Sequence, residues 1–310
     1  MKKSIVAAAV AAAIAAPAAN AGVTIYGQVH VSIDHLEHDL LRPHYSAWHV
    51  SSRASRIGFK GTEDLGNGLS LIWKAETGYD FSDGGAWDSS GRNANIGLTG
   101  DWGTFLYGNH DTPFKMAWYS TGIDMMGDTL IDANSLGSVE ENRWSDTIAY
   151  ISPNMNGLTF AASIQAGESN NNNGLADEYS IGVMYSNNGL KLAAAYEDER
   201  NDDDDRFMLG VGYTMNAFTI AATYVDDNED HEKNYNISGS YSFGNNKLVV
   251  AWGREDNDHG RNDDSWGIGL THTLSKRTTA YVAYGDSDDA HLKAEDDATT
   301  GFSLGMIHKF

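Results

Sequence analysis

The stretch Gly22-Val23-Thr24-Ile25-Tyr26-Gly27-Gln28-Val29-His30-Val31-Ser32-Ile33-Asp34 decides the fold. Val23, Ile25, Val29, Val31 and Ile33 fall on one parity, and Thr24, Tyr26, Gln28, His30, Ser32 and Asp34 on the other. Side chains alternate between the two faces of a strand, so this pattern predicts a strand with one apolar and one polar face. The same rhythm recurs along the chain. Leu69, Leu71, Trp73 and Ala75 oppose Ser70, Lys74 and Glu76; Leu158, Phe160, Ala162 and Ile164 oppose Thr159, Ser163 and Gln165. Phe207, Leu209, Val211 and Tyr213 share a parity, as do Leu248, Val250 and Trp252, and as do Phe302, Leu304, Met306, His308 and Phe310.

Between these runs, short turns alternate with longer polar links. Gly66-Asn67-Gly68, Gly100-Asp101-Trp102, Pro153 to Asn156, Asn187-Asn188, Met215-Asn216, Asn245-Asn246 and Leu274-Ser275-Lys276 have the chemistry of tight turns. Seven short turns and eight long links join about sixteen strands, with both ends on the short-turn side, the arrangement of a closed membrane barrel. Glu197 to Arg206, Asp226 to Glu232, Glu255 to Asp264 and Asp286 to Asp297 hold 23 of the 43 acids, which places acid in the long links. A soluble sandwich also hides one strand face, but the strand number, the sidedness and the aromatics near run ends, such as Tyr196, Tyr213, Tyr241 and Phe243, favour lipid. The expected fold is all-β: a sixteen-stranded antiparallel transmembrane β-barrel over 22–310.

One segment breaks the rhythm. From His110 to Asn142 there is no clean alternation, and a connection of that length is more often functional than idle. It mixes apolar Met116, Trp118, Met125, Met126, Leu130 and Ile131 with acidic Asp124, Asp128, Asp132, Glu140 and Glu141. Such a loop can pack one side on a wall and present carboxylates on the other, so an inward-folded third long loop is expected.

Lys2 and Lys3 precede an apolar run from Ile5 to Ala19, and Ala19-Asn20-Ala21 fits a small-x-small cleavage site, so residues 1–21 read as a signal peptide. The chain has no cysteine, which removes disulfides and thiolate chemistry. Its 21 basic and 43 acidic residues give a formal charge of −22, the wrong sign for a nucleic-acid partner and the right one for small cations. The one Gly-x-Ser-x-Gly spacing, Gly301-Phe302-Ser303-Leu304-Gly305, lies inside an alternating run and not at the strand-to-helix turn of a nucleophile elbow, and no His-Glu-x-x-His pattern occurs, so neither a serine hydrolase nor a metal centre is expected. Asp256-Asn257-Asp258-His259-Gly260 is only a fragment of a calcium loop; no cofactor is expected beyond a weak case for Ca or Mg at the acidic links.

Ser55-Arg56-Ile57-Gly58-Phe59-Lys60-Gly61-Thr62-Glu63-Asp64-Leu65-Gly66-Asn67-Gly68 resembles the general trimeric porins of Gram-negative outer membranes. Thr24 to Gly27, Asn95 to Leu98, Asp111-Thr112-Pro113, Ala149 to Pro153, Leu274 to Thr278 and His308-Lys309-Phe310 extend the resemblance over the whole mature chain. It implies a homotrimer in the outer membrane, in contact with lipid and lipopolysaccharide, with periplasmic termini, passing small hydrophilic solutes and ions. It also implies that loop 110–142 narrows the pore, with Arg56 and Arg143 on the wall facing loop acids Asp124, Asp128 and Asp132. Glu140 and Glu141 are further loop candidates. Gln28 and Asn109 stand where relatives carry basic residues, which tilts the expectation toward cations. Lys60, Lys74 and Glu76 have lumen parity, and Phe310 matches the family's assembly signal. Parity alone groups Asn109 with Phe105 and Tyr107, whereas the resemblance implies that it faces the pore; a bulge at Gly108 would reconcile the two. Other readings of the same residues are a substrate-specific channel for small cationic solutes, a barrel that displays adhesive or receptor loops, and an outer-membrane hydrolase.

Overall fold

A computed structural model describes residues 22–38, 44–85, 91–168, 174–199, 205–228, 231–257, 262–288, 292–293 and 298–310. The leader 1–21 and parts of the acidic links, including 258–260 of the calcium-like fragment, lie outside the described residues.

The strands are β1 (Gly22–His38), β2 (Tyr45–Ser52), β3 (Arg56–Gly66), β4 (Leu69–Gly78), β5 (Ala94–Gly100), β6 (Gly103–Asp111), β7 (Arg143–Ile151), β8 (Leu158–Gln165) and β9 (Glu178–Asn187). They continue with β10 (Leu190–Asp198), β11 (Asp205–Met215), β12 (Phe218–Asp227), β13 (Glu232–Phe243), β14 (Asn246–Asn257), β15 (Asn262–Thr273), β16 (Thr278–Ser287) and β17 (Thr300–Lys309). Each pairs antiparallel with its neighbour, and β1 pairs with β17 from Gln28↔Lys309 to Glu37↔Thr300, which closes the sheet. The seven short turns all fall where expected, between β3 and β4, β5 and β6, and so on to β15 and β16.

Seventeen strands make sixteen staves because β2 and β3 are one stave with a break. β1 pairs with β3 through Gly22–Gln28 and with β2 through Val31–His38. Residues 53–55 intervene, with Ala54 at φ 40°. The break rebuilds the ladder from side chains. Ser55 Oγ accepts from His30 N at 2.9 Å and donates to His30 O at 3.0 Å, while Arg53 N donates to His30 O at 2.9 Å. Arg53 then turns onto the buried face, giving Nη2 to Asp34 at 2.8 Å and Nε to Ser32 Oγ at 2.9 Å. Nothing in the polar run Ser51 to Ser55 announced this.

The distribution of polarity is the reverse of a soluble protein's. Ile25 is 61% exposed, and Leu209, Val211, Val250, Ile268 and Leu304 are exposed with it, whereas His30, Ser32, Asp34, Asn236, Ser265 and Ser303 are buried. In water so large an apolar surface would be costly; against hydrocarbon it is the favourable face. No helix among the described residues is long and apolar enough to cross a membrane. Stacked aromatic pairs, Phe218–Tyr241, Tyr241–Phe243 and Trp102–Tyr150, lie beside the short turns.

The long segment after β6 holds α1 (Pro113–Ser120) and α2 (Ala133–Leu136). Thr112 caps α1 by accepting from Lys115 N, with Pro113 in the first turn where its missing N–H costs nothing. Phe114, Ala117, Trp118, Ile123, Leu130, Ile131 and Leu136 are buried against strand side chains such as Ala195, Met208, Val225 and Ala251. The wall is stripped to glycine where the loop's backbone lies closest. A Cβ on Gly212 would lie 2.1 Å from Thr121 O, and one on Gly253 2.1 Å from Leu136 O.

Two details differ from or refine the sequence reading. Part of the acid placed in the long links lies on strand ends: Glu197, Asp198, Asp226, Asp227, Glu255, Asp256, Asp263 and Asp264 are within strands, while others, such as 202–204 and 295–297, lie outside the described residues. At Gly108 the β6–β7 register does shift, between Gly108 and His110, with Gly108 at φ 117°, which re-aims the residues after it.

Candidate functional site

A cavity of about 420 Å³ is lined from one side by Arg56, Lys74, Glu76, Arg92, Asn93, Asp111 and Arg143, and from the other by Lys115, Met116, Tyr119, Asp124, Asp128 and Glu141. Register explains the first group. Arg56 opens β3, Lys74 and Glu76 share the inner parity of β4, Asp111 closes β6, and Arg143 opens β7 directly opposite Asp111. The second group comes from α1 and the chain after it.

The charges form two sets. In the first, the Glu76 carboxylate, 5% exposed, accepts from Arg92 Nε at 2.6 Å and from Tyr26 OH at 3.0 Å. Arg56 Nε and Lys74 Nζ stand 3.8 and 3.9 Å from it. In the second, Asp111 holds Arg143 at 2.8 Å and Lys115 at 3.6 Å, and Asn93 Nδ2 donates to its other oxygen at 2.7 Å. Lys115 also meets Glu141 at 3.1 Å, and Tyr119 OH donates to the same carboxylate. The cavity thus carries five cations and five carboxylates. Arg143 shares Asp111 with Lys115, and Arg56 stands beside a carboxylate already held by Arg92.

Deeper in the loop, Lys293 from the link before β17 reaches Asp128 at 3.3 Å and also contacts Asp132, while its N–H donates to Leu130 O at 3.1 Å. Burial pushes the Asp132 carboxyl up to about 8, helped by the nearby Asp124 charge. Burial opposes the charge of Asp128 as well, but Lys293 and Arg56 outweigh it and hold that carboxyl below its usual range. Asp132 is fully buried and caps α2, so it stands away from open water, unlike the loop carboxylate expected of it.

The remaining candidates scatter. Gln28 is buried at the register position opposite Arg56. Asn109 gives its amide to the carbonyls of Gly91 and Arg92, positioning that link. Glu140 lies outside the cavity, with Arg206 Nη1 at 3.2 Å from its carboxylate. Lys60 lines a second cavity that adjoins the first. Phe310 exchanges backbone hydrogen bonds with Gly27 at 3.0 and 3.1 Å, sealing the barrel seam. Arg92, Lys115 and Lys293 went unnoticed in the sequence, and Asp111 was read there only as part of the Asp111-Thr112-Pro113 motif, not as a site residue.

A closed antiparallel barrel, apolar outside and charged within, defines the class of membrane-spanning β-barrels. The chain belongs to the Gram-negative porin family, whose model matches residues 6–292. Porins are channels and not enzymes, which removes the hydrolase reading. The major outer membrane protein P.IB of Neisseria gonorrhoeae is 30% identical over 205 residues, 61% of this chain and 55% of that protein. The matched part therefore spans little more than half the length of such curated relatives. Among solved structures, an anion-selective porin from Comamonas acidovorans superposes with a TM-score of 0.79 at 20% identity, over 94% of this chain and 100% of the other. OmpT of Vibrio cholerae in its trimer form gives 0.69 at 18%, over 93% and 99%. At these identities the likeness speaks for the fold alone.

Proposed function

We propose that this porin forms a water-filled outer-membrane channel for passive diffusion of small hydrophilic solutes and ions, with loop 110–142 folded into the lumen as the constriction. The observation that carries this reading is the charged cavity, which lies between the barrel wall and the loop and opposes basic and acidic groups across a gap. The loop sets the size limit, and the opposed charges set a field across the path. Solved neighbours that are trimers support a homotrimer, and the exposed apolar band supports lipid and lipopolysaccharide as its surroundings. Cleavage after Ala21 and periplasmic termini complete the proposal.

The preference is for cations. Its source is the acid on the strand ends and long links, because five cations balance five carboxylates in the cavity. Single-channel recording in a planar bilayer under a salt gradient tests both points. Conductance in steps of three with a cation-selective reversal potential is the expected result. Anion selectivity would overturn the account of selectivity, and absence of channels from a folded barrel would favour a barrel that only displays its loops.

The cavity makes a paired prediction. Glu76→Gln should move the reversal potential toward anions and Arg56→Ala toward cations. One unit charge at about 5 Å in water is worth about 0.8 kcal/mol, or roughly fourfold in permeability ratio. If neither variant moves the reversal potential, selectivity resides wholly at the mouth.

A further inference from the structure

The second cavity, about 580 Å³, adjoins the charged one through Lys74 and Asn93 and differs from it in sign. Lys60, Lys74, His110, Asn95, Thr24 and Thr62 are among its lining groups, and no carboxylate lines it. Register produces the arrangement. Thr24 faces Lys60 across β1–β3, Lys60 faces Lys74 across β3–β4, and Lys74 faces Asn95 across β4–β5, so donors from four neighbouring strands lie in one row.

Two lysines directly opposite each other on one sheet face repel and cost stability. This chain has acid in abundance, yet places none between them. Glu76, the nearest carboxylate to Lys74 at 3.9 Å, is already held by Arg92 and Tyr26, and Lys60 has no ion pair among the described residues. What holds the pair is the Tyr26 ring, with Lys60 Nζ 5.0 Å and Lys74 Nζ 6.0 Å from its centroid. The ring fits there because Gly58 leaves room: a Cβ on Gly58 would strike Tyr26 Cζ at 2.4 Å. Cation–π contact orients the ammonium groups while leaving their charge unpaired.

We infer that the Lys60–Lys74 row is a binding site for a small dianion of the phosphate class, inside the lumen and next to the charged cavity. The Cβ atoms of such facing residues lie about 5 Å apart, a spacing from which two flexible lysine stems can bring both ammonium groups onto the oxygens of one tetrahedral dianion. The Asn95 amide and the Thr24 and Thr62 hydroxyls supply further donors. A channel whose mouth favours cations would thereby keep a way-station for phosphate-bearing solutes. The inference rests on the channel reading, but binding and conduction can be measured apart.

The test is calorimetric titration of the detergent-solubilised full chain with inorganic phosphate at neutral pH, paired with phosphate block of the KCl current in a bilayer. The expected result is one phosphate per chain, a concentration-dependent block, and for Lys60→Gln and Lys74→Gln at least about tenfold weaker binding and block. Open KCl channels in both variants would show that they fold. Channels without phosphate binding, or binding equal in the variants and the parent, would overturn the site. Binding without channels would retain the site and overturn the channel.

Discussion

In a Lys293→Met variant the central loop is expected to come loose from the wall beside β17. Lys293 is the cation shared by Asp128 and Asp132, and its backbone is tied to Leu130 and, through its carbonyl, to Arg53. Methionine keeps the stem's bulk and removes the charge. Truncating one partner of a buried pair typically costs about 3–5 kcal/mol, and the low end applies because Lys293 is one third exposed. The pH dependence has a definite sign. Asp132 in the folded chain holds its proton up to about 8, whereas the unfolded group releases it near the usual carboxylate value. Between those pH values only the folded form is protonated, so stability contributed by this group is greatest at acid pH and falls as pH rises toward 8. Without Lys293, Asp128 loses the cation that holds its buried carboxylate ionised, so the variant should approach parental stability at acid pH, where that carboxyl is protonated, and diverge from it above the usual carboxylate range, fully by pH 8. Limited proteolysis within 110–142 and open-channel current noise, each followed against pH, provide the check; a variant as resistant and as quiet as the parent at pH 8 would show that apolar packing alone holds the loop.

Gly253→Leu attacks the same loop from the opposite wall. The new Cβ would lie 2.1 Å from Leu136 O, 2.3 Å from Leu136 C and 2.5 Å from Gly137 N, all backbone atoms that no rotamer change can move aside. Overpacking of a well-filled contact costs about 1–3 kcal/mol even where side chains can yield. Here α2 has to leave β14, and with the loop in its proposed place inside the lumen it would move toward the channel axis, so conductance should fall. Gly239→Ala on the adjacent β13 is the control, because its Cβ would have nothing nearer than Thr219 O at 3.9 Å. Equal conductance in the two variants would mean that α2 does not border the path.

The sheet was legible in the sequence because alternation and turn chemistry are local. Parity in Gly22 to Asp34 already assigned Ile25 and His30 to opposite faces, and each Asn- or Gly-rich pair closed a hairpin. The break at residues 53–55 was hidden, since a run of Ser, Arg and Ala next to a regular partner strand carries no period to interrupt. Charges on strands, such as Arg56 and Glu76, could be placed by register. Loop charges could not, because their surroundings are chosen by contacts distant in sequence. Asp132 and Asp124 look alike as residues, but one caps a helix and meets Lys293, some 160 positions away, while the other lines the charged cavity. Arg92 was missed for a related reason: it lies in an irregular link that Asn109 pins in place from the neighbouring strand. Where the acidic links begin was not legible, because polar strand ends and polar loops look the same once the apolar alternation stops.

The pairing of β1 with β17 has a bearing on how the molecule is made. Neighbouring staves are joined by short turns or by longer links, but this seam joins Gln28 to Lys309, so the ladder that closes the sheet has to form between the segments most distant in the chain. Until it does, an apolar sheet carries two bare edges, each able to template pairing with another copy. Any order of assembly must shield those edges through synthesis and export. The hazard ends in a single step, when Gly27 and Phe310 exchange their backbone hydrogen bonds.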